Sequence, residues 1–256
     1  MILISGCSWS NPNFKTDYHP EMKHDYPKWY DYIQTDEEVV SIGVSGQSNH
    51  SIIDRALQQV LVNPDITQVV VALTEWARFN FMKQEIHPNL LALKDWIATK
   101  KRKTKREELM VEHIESWIQH HNKFIKLDDL KPRHYIPYTV EQILLKIKTL
   151  QEICKAKGIK LQVFQMIWPL HDQGDAAEIG LDAIIKNELF QQMYTESNDN
   201  FLNFPFFRSL GGNCVESLLK SRDDYNELVI SEVDHHPNGN GHMWIGEWFN
   251  EQVGLH

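Results

Sequence analysis

The opening residues, Met1-Ile-Leu-Ile-Ser-Gly-Cys-Ser-Trp-Ser10, constrain this chain more than any other stretch. Ile2, Leu3 and Ile4 are too few to form one face of a helix. A short apolar run cut off by Ser5-Gly6 reads as a buried strand ending in a turn. Gly6 lets the backbone bend where another residue would resist. Ser8 then stands just past the carboxyl end of the strand, on an expected strand-to-helix turn. Open α/β sheets bind ligands at that edge. A hydroxyl there, beside backbone N–H groups, suits an acyl-transfer nucleophile. The plainer reading is a capping serine.

The next segments repeat the pattern. Asn11 to Lys28 is rich in turn formers and reads as an irregular loop at the same edge. His19 and His24 lie in it without ligand spacing, and 28–33 is an aromatic turn suited to core packing. Residues 38–42 predict a second strand, followed by the turn Gly43-Val-Ser-Gly46. A helix over 51–62 follows, capped by Ser48 or Asn49 and stopped by Asn63-Pro64. Such a turn aims helix N-terminal N–H groups at the edge that carries Ser8, as an anion or oxyanion site would require. Thr67 to Leu73 reads as a third, fully buried parallel strand. Thr74, Glu75, Trp76 and Arg78 at its end, with Trp9 after the first strand, are candidates to line a pocket. A surface ion pair is the alternative for Glu75 and Arg78.

Residues 87–131 interrupt the α/β alternation. Lys100-Lys-Arg-Lys-Thr-Lys-Arg106 separates two amphipathic stretches, 90–97 and 109–117, and predicts a helical insert. Its functional readings are a lid, a self-association surface or a phosphate contact; the bland one is a solvated excursion. Beyond it, residues 139–157 predict a helix ended by Gly158, and 159–168 a strand ended by Pro169. A further helix is expected over 183–194, and a short strand or buried loop over 201–207.

The final informative stretch is Val233-Asp-His-His-Pro-Asn-Gly-Asn-Gly-His242, leading into an apolar helix over 243–249. His235, His236, His242 and Asp234 could form a metal set, but an adjacent histidine pair rarely converges on one ion. A general base on the loop is the better reading. It needs a neighbouring acid to fix its tautomer, and Asp234 and Glu232 are both near enough in sequence.

Composition narrows the class. With 256 residues and 42% apolar content, the chain fits one α/β domain spanning 1–256. A net charge of -9 argues against general nucleic-acid binding, and no apolar run is long enough to span a membrane. The N-terminus has no basic n-region and reads as no secretory signal. Cys7, Cys154 and Cys214 form neither a disulfide framework nor a metal pair, which points to a reducing compartment.

Together, Gly-Cys-Ser8, the Gly46 turn and the Asp-x-His-Pro-Asn-x-x-Gly-His stretch resemble the SGNH (GDSL-type) hydrolases. They are most similar to the Gly-Cys-Ser-aromatic variety often carried by tailed phages. The resemblance covers the first three strands and the last twenty or so residues. It implies a flavodoxin-like three-layer α/β/α sandwich with about five parallel strands in the order 2-1-3-4-5. It also implies a serine esterase without metal or organic cofactor, with Ser8 as nucleophile, His236 as base, and Gly46 and the Ser8 backbone N–H in the oxyanion hole.

The pattern departs from the family in three places. Cys7 replaces the usual Asp. Thr74-Glu75-Trp76 stands where an oxyanion-binding Asn is usual, so Asn49 is the expected substitute. The family's acid lies three residues before its base, but Asp234 is two before His236, while Glu232 is three before His235. Pro237 after His236 selects the pair Asp234 and His236. The expected substrate is a small ester or an acylated glycan. The competing readings are a catalytically inactive phage structural or interaction protein that keeps the fold and a metal-dependent hydrolase. Expected settings are the cytoplasm, of a host cell if the protein is viral, or a virion; self-association is the expected form of partnership.

Overall fold

A computed structural model describes residues 1–16, 18–19, 21–81, 84–86, 94, 97–121, 132–170, 175–195 and 200–255. The strands are β1 (Ile2–Ser5), β2 (Val39–Ser41), β3 (Gln68–Leu73), β4 (Phe79–Phe81), β5 (Gln84–Ile86), β6 (Lys160–Gln165) and β7 (Phe201–Leu202). The helices are α1 (Asn49–Val62), α2 (Lys105–His121), α3 (Pro132–Lys157), α4 (Asp175–Ile185), α5 (Glu188–Thr195), α6 (Val215–Lys220), α7 (Tyr225–Leu228) and α8 (Gly239–Val253).

Five strands form one parallel sheet in the order β2-β1-β3-β6-β7. This is the expected 2-1-3-4-5 order. Successive side chains of a strand point to opposite faces, and the core divides accordingly. Leu3, Val69, Val71 and Leu73 pack on one face with Ile52, Ile53 and Ala56 of α1 and Val140, Ile143 and Leu144 of α3. Ile2, Ile4, Val70 and Ala72 pack on the other with Trp29, Leu228, Ile245, Trp248 and Phe249. The apolar runs are continuous because both faces are covered, and the fold is a three-layer α/β/α sandwich. Since the strands are parallel, β1, β3 and β6 bring their carboxyl ends to one edge.

Several elements differ from the sequence expectation. Among the described residues, no α-helix lies between β1 and β2. Ser8–Ser10 makes a single 3-10 turn, closed by Ser10 N to Cys7 O (2.9 Å), and the chain leaves it as loop. An antiparallel β4–β5 hairpin follows β3. The third long helix spans Pro132–Lys157 among the described residues and carries Pro137 within it. The helix expected over 183–194 is two, because the Asn187 side chain accepts from Leu189 N (2.9 Å) and Phe190 N (3.3 Å) and starts α5. The last helix begins at Gly239, capped by Asn238, whose side chain accepts from Gly241 N (3.1 Å). Within the expected insert, 87–93, 95–96 and 122–131 lie outside the described residues; α2 accounts for much of the remainder.

Candidate active site

The turn after β1 is held by its neighbour after β2. Val44 N donates to Gly6 O (3.1 Å), Asn11 Nδ2 to Ser45 Oγ (2.9 Å), and Ser41 Oγ to Ser10 O (2.5 Å). A Cβ at Gly43 would lie 2.4 Å from Ser10 O, so this approach needs glycine. Gly46 has φ +75°, a backbone conformation that glycine adopts without strain.

The far end of the chain meets Ser8 from the other side. Residues 229–238 form a loop closed by a bridge between Val229 and Pro237, and by Ile230 N to His236 O (2.9 Å). Asn238 Nδ2 reaches back to Glu227 O and Val229 O (both 2.9 Å). Ser231 Oγ accepts from Val233 N (3.3 Å) and Asp234 N (3.0 Å). The loop is thus fixed by its own short polar side chains.

These ties bring three side chains into line. His236 Nε2 lies 3.0 Å from Ser8 Oγ, and His236 Nδ1 lies 2.6 Å from Asp234 Oδ1. An ionised carboxylate only accepts, so Nδ1 carries the proton and Nε2 accepts from the Ser8 hydroxyl. His236 N also donates to Asp234 Oδ1 (3.0 Å), and the Thr16 hydroxyl donates to Oδ2. Asp234 is 1% exposed. Burial by itself would raise its carboxyl. The hydrogen bond and charge of His236, with the Thr16 bond, outweigh burial and bring it down to about 2. The Phe14 ring lies against the imidazole, with centroids 4.4 Å apart.

The three candidate histidines go to separate environments. His235 Nε2 lies 3.2 Å from Glu232 O, and its ring meets Tyr225 edge-on. His242 is buried in α8, where its Nδ1 accepts from Trp29 N (3.3 Å). Burial, aided by the charges of Lys28 and His236, depresses its pKa to about 3, so it stays neutral. The imidazole on Ser8 is therefore that of His236, and its carboxylate partner is Asp234. Glu232 is exposed on the same loop.

Other expected contributors are placed differently. Asn49 is fully buried: its Oδ1 accepts from Thr74 N (2.7 Å) and its Nδ2 donates to Thr74 O (3.0 Å). An amide bonded at both ends to the β3 backbone is a structural clamp, and these two bonds use only one of its two Nδ2 hydrogens. The amino end of α1 is likewise taken: Ser48 N donates to Glu85 Oε2 (3.0 Å) of the hairpin. Trp9 and Thr74 are buried, at 5% and 0% exposure. Trp76 is also buried, with its indole N–H on Gln165 Oε1 (2.9 Å).

Glu75 and Arg78 pair with each other at 2.6 Å, at 12% and 15% side-chain exposure. Burial opposes the guanidinium charge, but the Glu75 charge and hydrogen bond more than offset it and raise the Arg78 pKa. A carboxylate that would repel a nearby anion is thus matched by a cation. Sequence reasoning missed Phe14 and Thr16. Nothing in a loop of mixed turn residues marks which of them returns to a carboxylate 218 positions away.

No family model matches the chain, and no curated protein matches it in sequence. Among solved structures it is similar to a lipolytic-type protein of the G-D-S-L family from Desulfitobacterium hafniense DCB-2. That likeness has a TM-score of 0.44 and 13% identity over 98% of each chain. It is also similar to the psychrotrophic esterase EstA from Pseudoalteromonas sp., with a TM-score of 0.43 and 14% identity over 99% of this chain and 96% of the other.

Proposed function

We propose that the chain is a serine hydrolase that cleaves carboxylic esters through an acyl-enzyme. One observation carries this reading: the hydroxyl, imidazole and carboxylate of Ser8, His236 and Asp234 stand in hydrogen-bonded series at 3.0 and 2.6 Å. A serine hydroxyl at its ordinary pKa is a weak nucleophile, and an imidazole in contact with it supplies the missing base.

In the proposed reaction, Ser8 Oγ attacks the ester carbonyl carbon while His236 Nε2 takes its proton. Asp234 holds the tautomer and stabilises the imidazolium. The intermediate collapses, His236 returns the proton to the leaving alcohol oxygen, and an acyl ester remains on Ser8. Water then attacks, again losing a proton to His236, and the carboxylic acid leaves with Ser8 restored. The backbone N–H groups of Ser8 and Gly46 are the proposed oxyanion donors. Fixed donors aimed at developing charge are usually the largest single contribution in such a site. The substrates proposed are an acetyl ester on a glycan or a short acyl ester.

The test combines turnover with labelling. Purified protein should hydrolyse p-nitrophenyl acetate or butyrate, with or without a chelator, and a fluorophosphonate probe should modify Ser8. Absence of both in folded protein would reject the reading and leave a binding role. Activity abolished by the chelator would favour a metal-dependent hydrolase instead.

A further inference from the structure

The loop between β1 and the Trp29–Tyr32 turn returns to the acid–base pair at two points. The Thr16 hydroxyl donates to Asp234 Oδ2, while its oxygen accepts from Tyr18 N (3.1 Å). That second bond fixes the direction of the first, because the lone hydroxyl proton is left for the carboxylate. Thr16 is 4% exposed, and its own N–H meets His24 Nε2 (3.4 Å). Two residues earlier, the buried Phe14 ring lies against His236 at 4.4 Å with planes 32° apart, and it also meets the His24 ring at 5.4 Å.

We infer that Thr16 and Phe14 are positioning residues: Thr16 sets the orientation of Asp234, and Phe14 sets the plane of the His236 ring. Neither would touch the reacting atoms. Asp234 Oδ1 receives both donors from His236, which leaves Oδ2 to the loop. Without Thr16, a buried carboxylate oxygen would lose the donor that the loop supplies, and the group could rotate away from Nδ1. Without Phe14, the imidazole would lose the wall that limits its tilt. The loop that follows the nucleophile thus also organises the pair that activates it. This inference rests on the reading of Ser8, His236 and Asp234 as a catalytic set.

The test compares Thr16→Val, Thr16→Ser and Phe14→Leu in the full chain, on p-nitrophenyl butyrate. For Thr16→Val, kcat should fall about tenfold or more while KM stays within about twofold, as expected when substrate binding is untouched. Thr16→Ser keeps the hydroxyl and should recover most of the rate. Phe14→Leu should lower kcat about threefold to tenfold, again with KM little changed.

A second readout needs no substrate. The His236 Nδ1 proton, hydrogen-bonded to a carboxylate, should give a downfield proton NMR signal. It should move or broaden in Thr16→Val and be restored in Thr16→Ser. Wild-type kcat in Thr16→Val with an unmoved proton signal would overturn the inference; so would a loss of rate that Thr16→Ser does not recover. Should Thr16→Val fail to fold, Phe14→Leu decides by its kcat and KM. If wild type neither turns over ester nor takes the probe, the hydrolase reading fails on its own. The proton signal then still reports whether the loop positions Asp234.

Discussion

Two histidines six positions apart in the chain show how differently one fold can use the same side chain. His236 sits on a loop at the sheet edge, 31% exposed, with a carboxylate on one nitrogen and a hydroxyl on the other. His242 sits inside α8 at 2% exposure, with the Trp29 backbone N–H on one nitrogen and no carboxylate bonded to it among the described contacts. Burial without an acid holds His242 neutral, at a pKa of about 3. His236 instead keeps one nitrogen on the Asp234 carboxylate and the other on the Ser8 hydroxyl. Chemistry follows from the partners, which tertiary contact supplies.

The strongest test of this contrast removes the exposed unit. Ser8→Ala and His236→Ala should each lower kcat by about ten-thousandfold or more on a simple ester, and the double variant should be no slower. Additive losses would show that the two do not act together. Asp234→Asn should lower kcat by about a hundredfold to ten-thousandfold, because an amide can present its N–H to Nδ1 and impose the wrong tautomer. A variant with near-wild-type kcat would place the orienting group elsewhere.

The buried polar groups should answer through stability. Asn49→Ala removes both bonds to the Thr74 backbone and should cost about 1–3 kcal/mol in urea unfolding. Its kcat per folded molecule should stay within about tenfold of wild type; a larger loss would place Asn49 in the oxyanion hole. His242→Gln should change how stability depends on pH. The folded pKa of about 3 lies below the unfolded value. Between the two, the unfolded chain binds a proton that the folded chain refuses. Stability therefore falls as pH drops from about 6.5 toward 3, by about 1.4 kcal/mol per unit from this residue at full effect. Urea midpoints at pH 7.5 and 5 should differ less in His242→Gln than in wild type; equal differences would show that His242 is not held neutral. The smallest effect belongs to His235→Ala, with kcat expected within about twofold of wild type. A dead variant would move the base to His235 and the acid to Glu232.

The parts legible in the sequence share a local cause. Ile2-Leu3-Ile4 and Val69-Val-Val-Ala-Leu73 read as buried parallel strands because both faces of each are apolar. The order of the sheet also matches the expectation. Ser8 after β1 and His236 before α8 could be singled out because small and turn-forming residues bring them to element ends. The register of the acid was harder. Asp234 and Glu232 are both near enough in sequence; Pro237 favours Asp234 and His236, and the 2.6 Å hydrogen bond pairs them.

Other features depend on contacts between residues far apart in sequence. Asn49 sits in a Gly-Gln-Ser-Asn turn that suits an oxyanion donor, yet its amide closes on Thr74, 25 positions away. Glu75 looks hostile to an anion until Arg78 pairs with it. The hairpin that seats Glu85 on the amino end of α1 has no sequence signal as plain as its effect.

By itself, the sequence determined which segments are buried and where they end, because burial and turn formation are properties of a few adjacent side chains. It also determined that a serine and a histidine would stand at element ends. Only the tertiary structure decided which histidine meets Ser8, which carboxylate holds it, and that Thr16 and Phe14 close around the pair. Those outcomes depend on distances of about 3 Å between groups as many as 228 positions apart. Hydrogen bonds weaken steeply with distance and angle, so local pattern could nominate these partners, but only the packed chain could choose among them.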